Sequence, residues 1–158
     1  MEVAYVTLSR MRPTGTKSRW HRWYALAVRD QLATGAACVL LPLIEFSLCR
    51  CGLTVTLRWL RSTVRAERLG QSPTVTARCR RAVSRASRNG PVSGRCLSQS
   101  LTLWWLLRQQ GVGSRLKVGA VRSTSNFDAH AWLENEAGVI NDSADVNRRY
   151  PVSFAVLG

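Results

Sequence analysis

The sequence predicts an α+β fold in which several helices come first and a small antiparallel sheet follows. Apolar residues fall at helical intervals over residues 20–69 and 72–89, and residues 97–110 contain neither glycine nor proline. Beyond residue 114 apolar and polar residues alternate, which is typical of strands with one buried face. Helices followed by strands indicate a helix packed on one face of a sheet.

The helical part is predicted over residues 19–90. Residues 20–69 have the periodicity of two or three helices. A further helix begins at Ser72 and Pro73, because serine is a favourable N-cap and proline fits the first helical position. We expect it to end before Gly90.

The helix that follows Cys96 is predicted to be the central one. Residues 97–110 run without a helix breaker to Gly111, a suitable C-terminal cap. Because residues 101–107 are apolar on nearly every side, this helix should be mostly buried.

Three strands are predicted after this helix, at residues 115–121, 128–134 and 138–142. In the second strand His130, Trp132 and Glu134 lie on one face, and the residues between them lie on the other. Together with the central helix, these strands form the predicted catalytic core, residues 91–158.

A single domain is predicted over residues 19–158. A chain of 158 residues can bury one sizeable core but not two independent ones. Residues 1–18 lack sustained periodicity, so we expect a flexible N-terminal segment there.

The charge of the chain is strongly positive, with 23 Lys and Arg against nine Asp and Glu and a net charge of +14. Such a balance favours a polyanionic partner. The arginines are scattered, however, and no zinc-finger, basic-zipper or RNA-recognition pattern accompanies them. We therefore expect no nucleic-acid partner, and a basic surface that is solvated or meets an acidic peptide or protein.

The N-terminal sequence lacks the pattern of a secretory signal. The longest uncharged run, residues 31–44, is too short to span a bilayer and contains Pro42. A soluble cytoplasmic protein without a membrane span is expected, with peripheral membrane contact through this run as an alternative. An odd number of cysteines, five, then favours reduced thiols over a disulfide framework.

No metal or cofactor is expected from the sequence. The chain has no Cys-x-x-Cys, and its two histidines lie far from Cys49 and Cys51, so four zinc ligands at usual spacing are missing. The segment that begins at Gly111 does not fit a phosphate-binding loop.

Cys96 is the candidate nucleophile. A thiol becomes nucleophilic when it ionises, and the N-terminus of a helix favours the thiolate because its N–H groups carry partial positive charge. Cys96 begins the predicted central helix, whereas the other four cysteines lie among apolar residues. The N–H groups of Cys96 and Leu97 could also hold an oxyanion. Gln99, one turn on, is a further oxyanion donor, or else a helix-surface glutamine.

His130 is the candidate base, because His21 lies in a basic segment with no acid nearby in sequence. A three-residue loop centred on Glu136 would pair strand residues whose numbers sum to 272, which places Asp142 opposite His130. A carboxylate there would orient the imidazole. A register slip by one would bring Asn141 or Ser143 to that place, and Asp128 and Asp145 stay open as alternative acids.

The order of Cys at a helix start, His on a following strand and Asp on the next is that of the transglutaminase-like branch of the papain-type fold. The segments RCLSQSLTLWWLLR at 95–108, FDAHAWLE at 127–134 and NDS at 141–143 closely resemble the maturation peptidases of lasso-peptide biosynthesis. The resemblance covers about the last 85 residues, and Cys96, His130 and Asp142 fall on the triad positions of that family.

The resemblance implies a function and partners. Such a peptidase removes the leader from a ribosomally made precursor, and an ATP-dependent cyclase then joins the new α-amine to an Asp or Glu side chain. Some members carry a winged-helix leader-recognition domain at the front. The helical pattern of residues 20–89 does not suit that fold, so a separate leader-recognition protein is expected.

Two other functions remain open from the sequence. The same triad could transfer the acyl group to an amine, as transglutaminases do, since both reactions share every step up to the thioester. Alternatively, the chain could be a non-catalytic adaptor whose basic surface holds an acidic precursor.

Overall fold

The computed structural model describes residues 28–64, 69–90, 94–122 and 127–157. The helices are α1 (Val28–Ser62), α2 (Pro73–Asn89), α3 (Cys96–Gln109) and α4 (Val146–Arg149), and the strands are β1 (Arg115–Arg122), β2 (Phe127–Asn135), β3 (Gly138–Val139) and β4 (Ser153–Leu157). The α+β class is thereby confirmed, and the predicted flexible segment, residues 1–18, lies outside the described residues.

Helix α1 consists of two helical halves that meet at Gly52. Gly52 has φ 77° and ψ 177°, a conformation that L side chains rarely adopt. Ser47 Oγ and Thr56 Oγ1 are 2.8 Å apart, although residues nine apart in a straight helix are separated by roughly 13 Å along the axis. The chain therefore turns sharply at Gly52, and the two halves agree with the helices predicted from periodicity.

One face of α1 is buried and the opposite face is exposed. Ala37, Leu41 and Ile44 are at most 1% exposed. In the half of α1 before Gly52, the large apolar side chains between 48% and 69% exposed are Val28, Leu32, Val39, Leu43 and Phe46. By length and composition alone α1 could cross a membrane, although the core helix of a soluble protein passes the same test. The helix continues through Pro42, and the absence of a membrane span stays a prediction.

Two ion pairs attach α1 to the following helices. Asp30 binds Arg78 on α2 at 3.2 Å, and Glu45 binds Arg95, just before α3, at 3.5 Å. Both acidic side chains of this helix therefore face the rest of the protein.

Helix α2 begins as predicted. The Ser72 side chain accepts a hydrogen bond from the Val75 N–H at 3.4 Å, and Pro73 occupies the first helical position. The buried stripe consists of Cys79, Ala82, Val83 and Ala86. Basic residues fill much of the remaining surface, so α2 presents an apolar face to the core and a basic face to water.

Helix α3 is the buried central helix that the sequence predicts. Eight of its 14 residues are buried, including Leu101, Leu103 and Leu107. Gly111, with φ 70°, follows its last turn, where the Val112 N–H donates to the Leu107 carbonyl at 2.9 Å.

The sheet is antiparallel, with strand order β3-β2-β1-β4. On one face of β2, Ala131 and Leu133 join the main core with α3. On the other face, Trp132 packs with Val146 and Tyr150 in a second buried cluster. Strand β4 and the short helix α4 were not predicted from the sequence.

The hairpin between β2 and β3 differs from the predicted register. Glu134 pairs with Val139 and Asn135 with Gly138, so the loop has two residues instead of three, and paired numbers sum to 273. The Asn135 side chain accepts from the Ala137 N–H at 3.0 Å, an Asx turn that tightens the loop. Strand β3 also ends at Val139, not at residue 142. If β3 continued in this register, Ser143 would lie opposite His130.

Gly119 permits the close packing of the second cluster. It lies opposite His130 in the β1–β2 pairing. A Cβ atom at this position would lie 2.6 Å from Tyr150 Cβ and 2.9 Å from Trp132 Cη2.

We expect Gly119→Ala to destabilise the protein by about 1–3 kcal/mol, because this overpacking forces buried rings apart. Denaturant unfolding monitored by circular dichroism would measure the change. Gly35→Ala is the matched control: a Cβ there meets nothing within 4 Å, so it should stabilise α1 by about 0.5–1 kcal/mol. Equal effects of the two substitutions would contradict the packing argument.

Candidate active site

His130 on β2 and Asp142 are in contact through a hydrogen bond between the imidazole Nε2 and the carboxylate Oδ2. Their side chains are 25% and 17% exposed, so the pair lies at the surface of the core and is open to solvent. The pair predicted from the sequence therefore forms, although the register used to predict it was wrong.

Asn141 explains how Asp142 reaches His130 without a strand. After β3 ends, the Ile140 N–H donates to the Leu133 carbonyl at 2.8 Å, and Asn141 Oδ1 accepts from the Leu133 N–H at 2.7 Å. The amide oxygen of Asn141 takes the place of the backbone carbonyl that a paired strand would supply. This holds residues 140–142 beside β2 and brings the carboxylate of Asp142 to the imidazole of His130.

Ser100 connects the same segment to α3. Its Oγ donates to the carbonyl of Ala131 at 2.9 Å and accepts from Asn141 Nδ2 at 2.9 Å. Ala131 follows His130 directly. A helix residue, a strand and the acidic segment thus meet at one buried hydroxyl, which is 0% exposed.

Cys96 lies on the face of α3 that carries Ser100, because residues four apart share one side of a helix. It is one turn, or about 6 Å, before the contact between Ser100 and Ala131. The thiol is free and half-buried. Within the described part of the chain this thiol makes no hydrogen bond, whereas His130 is bound to Asp142.

The direction of α3 relative to β2 indicates which end of the strand Cys96 approaches. At the C-terminal end of α3, the Gly111 carbonyl accepts from the Gly70 N–H at 2.8 Å. Next to Gly70, Gln71 Oε1 accepts from Asn135 Nδ2 at the end of β2 at 2.9 Å. The helix and the strand therefore run in the same direction, and Cys96 lies toward the end of β2 that carries His130.

The N-terminal turn of α3 is held by the side chain of Ser98. Ser98 Oγ accepts from the Arg95 N–H at 2.9 Å and donates to the Arg95 carbonyl at 3.0 Å, which fixes the entry into the helix. The N–H groups of Cys96 and Leu97 lie in this turn, where a helix offers no internal acceptors. They are suitably placed to bind negative charge.

The side chain of Gln99, the third oxyanion candidate, is engaged elsewhere. Its Nε2 donates to Ser87 Oγ at 3.0 Å and to the Gly94 carbonyl at 3.1 Å. It thereby links α2 with the chain that enters α3, and it would have to give up one of these bonds to hold an oxyanion.

Two aromatic rings fix the imidazole of His130. The Tyr150 ring stacks on it at 5.4 Å between centroids, and the Trp132 ring at 6.1 Å. The Tyr150 hydroxyl donates to Asp128 Oδ2 at 2.5 Å, so Asp128, one of the alternative acids, is bound to Tyr150. The stack limits rotation of the imidazole out of line with Asp142.

The charge of Asp142 is strongly stabilised. Partial burial alone would raise the pKa of Asp142. Hydrogen bonds from the Ser143 N–H, His130, the Ser143 hydroxyl and Arg149 outweigh this effect and lower the pKa to about 2. The Arg149 guanidinium lies 2.7 Å from Oδ1, while the imidazole binds Oδ2. Asp145, the other alternative acid, also pairs with Arg149, at 3.6 Å.

Sequence reasoning missed Ser100, Asn141, Arg149 and Tyr150. The first two lie in the segments 95–108 and 141–143 already singled out, but nothing in their spacing marks them as contacts of each other. Arg149 ends α4, a four-residue helix without a periodic signal, and Tyr150 follows it directly.

The described residues contain no group of three or more His, Cys, Asp or Glu side chains that could hold a metal ion. All five cysteines lie in that part of the chain, and each is free. The reactive side chains of the candidate site are a thiol, an imidazole and a carboxylate.

The chain belongs to the transglutaminase-like superfamily, whose sequence profile matches residues 40–155. The match runs from within α1 to within β4 and includes Cys96, His130 and Asp142. This superfamily generally comprises cysteine-dependent enzymes. Comparison with curated proteins and with solved structures gives no match.

The depressed pKa of Asp142 predicts a pH-dependent stability. Because the pKa falls from 3.8 to about 2 on folding, the ionised carboxylate stabilises the protein above pH 3.8, and this contribution is lost as the pH drops toward 2. We expect Asp142→Asn to lower the free energy of unfolding near neutral pH, and the difference from wild type to vanish near pH 2. Denaturant titrations over this range would measure it. The exposed Glu136, changed to Gln, is the control. A difference that stays constant into acid would disprove the linkage.

Removal of the Asn141 side chain should loosen the site and destabilise the fold. Asn141→Ala leaves the Leu133 N–H without its acceptor, which costs about 1–3 kcal/mol. Asn147→Ala, which removes an exposed hydrogen bond to Glu134, is the matched control and should cost less than about 1 kcal/mol. Thermal and denaturant unfolding would compare them. If both variants were equally stable, the Asn141 side chain would not be the link that holds Asp142.

Proposed function

We propose that the chain is a cysteine peptidase that removes the leader peptide from a lasso-peptide precursor. Cys96 acts as nucleophile, His130 as base and Asp142 as the residue that orients the imidazole. The observation that carries this proposal is the contact between His130 and Asp142 at the end of β2 toward which the N-terminus of α3 is directed.

The chemistry follows from the geometry of the imidazole. Since Nε2 is bound to Asp142, Nδ1 is the nitrogen left to take the thiol proton. The thiolate of Cys96 attacks the scissile carbonyl carbon, and the N–H groups of Cys96 and Leu97 hold the oxyanion. His130 then gives its proton to the leaving amine, and the leader remains as a thioester on Cys96.

Water completes the reaction. His130 removes a proton from a water molecule, which attacks the thioester carbonyl, and the thiol leaves with that proton restored. The products are a leader with a free carboxylate and a core peptide with a free α-amine. This second product is the amine that a cyclase requires.

Leader removal is supported by the resemblance of residues 95–108, 127–134 and 141–143 to lasso-peptide maturation peptidases. The proposed partners are accordingly a precursor peptide, a separate leader-recognition protein and an ATP-dependent cyclase, all in the cytoplasm. The helices α1 and α2, which occupy most of the described chain before α3, favour a separate recognition protein over a built-in winged helix.

Acyl transfer to an amine is the second candidate, and the superfamily match favours it. In this reaction an amine replaces water in the attack on the thioester. The mass of the leader product separates the two reactions, because hydrolysis leaves a carboxylate and transfer adds the mass of the amine.

The test combines the chain with a candidate precursor and a candidate leader-recognition protein and follows leader release by mass spectrometry. We expect Cys96→Ala to reduce the rate by about 10³-fold or more, because the nucleophile is lost. Cys51→Ala, which removes an exposed thiol from α1, should retain wild-type activity. Full activity of Cys96→Ala would favour the non-catalytic adaptor, and the absence of cleavage in the complete mixture would overturn the peptidase proposal.

A further inference from the structure

A cleft of about 450 Å³ lies between α2 and the segment that carries Asp142. Its polar lining consists chiefly of Arg80, Ser84, Ser87, Arg88, Gln99 and Asp142. The cleft is therefore continuous with the candidate active site through Asp142, and it reaches α3 one turn after Cys96, at Gln99.

Helix α2 presents one polar stripe to this cleft. Arg80, Ser84 and Arg88 are four residues apart in succession, and Ser87 lies beside them, so the four side chains share one side of the helix. Arg81, next to Arg80, is also exposed but does not line the cleft.

The charge in the cleft is positive, and no described carboxylate forms an ion pair with the arginines that line it. Arg78 and Arg95 have carboxylate partners on α1, whereas no carboxylate among the described residues lies within ion-pair distance of Arg80 or Arg88. Arg80 donates to the Ile140 carbonyl at 3.2 Å, which sets its guanidinium against the segment that carries Asp142.

The one carboxylate in the lining does not neutralise these arginines. Asp142 accepts hydrogen bonds from His130, Ser143 and Arg149, so both of its oxygens are occupied. The groups that can bind a ligand here are chiefly the guanidinium groups of Arg80 and Arg88. These groups recognise a carboxylate, to which an arginine can donate two parallel hydrogen bonds.

We propose that this cleft binds an Asp or Glu side chain of the peptide substrate, within a few residues of the scissile bond. The inference rests on the proposed peptidase function, because the substrate must lie across Cys96. Gln99 is one helical turn, about 5–6 Å, from that nucleophile, and an extended peptide advances about 3.3 Å per residue. A side chain one or two residues from the cleaved bond would therefore reach the mouth of the cleft.

The test measures binding without turnover. Fluorescent precursor peptides are prepared in pairs that carry Glu or Gln at one position, and each position on both sides of the cleavage site is tested in turn. Fluorescence anisotropy measures their binding to full-length Cys96→Ala protein. We expect one or two positions at which Glu binds about tenfold more tightly than Gln, since a charge-assisted pair is lost with the amide.

Substitution of Arg88 assigns this preference to the cleft. In the Cys96→Ala protein, Arg88→Gln should abolish the preference for Glu, and Arg88→Lys, which keeps the charge but loses the planar fork, should retain part of it. Arg81→Gln is the matched control of equal charge and should leave the preference unchanged. Arg88→Glu should reverse it, so that a peptide with Lys at that position binds more tightly than one with Glu.

The outcomes separate this inference from the proposed function. Equal affinity for Glu and Gln at every position, or equal losses with Arg81→Gln and Arg88→Gln, would overturn the cleft inference. The second result would mean that only the net charge of +14 attracts acidic peptides. Failure of the Cys96-containing protein to cleave any precursor would overturn the peptidase proposal instead, whatever the binding data.

Discussion

The site depends on one buried hydroxyl, that of Ser100. It joins the carbonyl next to His130 to the side chain that precedes Asp142, while its own helix begins at Cys96. The hydrogen bonds of Ser100 thus fix three separate parts of the chain relative to one another. Because a buried polar atom without a partner is costly, each of these hydrogen bonds makes displacement of the others unfavourable. The relative placement of the reactive groups follows from that mutual restraint.

The hairpin of β2 and β3 shows which features the sequence pattern predicts and which it does not. Alternation along residues 128–134 placed His130 and Trp132 on one face of a strand, and the structure agrees. Asp142 does contact His130, but the register argument that placed it there was wrong. A two-residue turn shifts the register by one, and the carboxylate reaches the imidazole only because β3 ends early and an asparagine side chain replaces the ladder.

Elements without periodicity could not be predicted. Helix α4 has four residues, yet it supplies the arginine that binds Asp142 and leads into the tyrosine stacked on His130. The position of the break, at Gly52, was also not predicted, since a glycine within an apolar helical pattern is compatible with an uninterrupted helix. In contrast, the burial of α3 and the N-cap of α2 follow from short-range rules, because composition and local hydrogen bonding decide them.

The exposed apolar face of α1 has a consequence for the behaviour of the protein in solution. Five large exposed apolar side chains on the first half of α1 favour contact between copies of the chain, whereas a net charge of +14 keeps copies apart. Added salt shortens the range of this repulsion and leaves hydrophobic attraction intact, since the screening length falls from about 30 Å at 0.01 M to about 8 Å at physiological ionic strength. Attraction between copies of the chain through α1 therefore gains on their charge repulsion as salt is added.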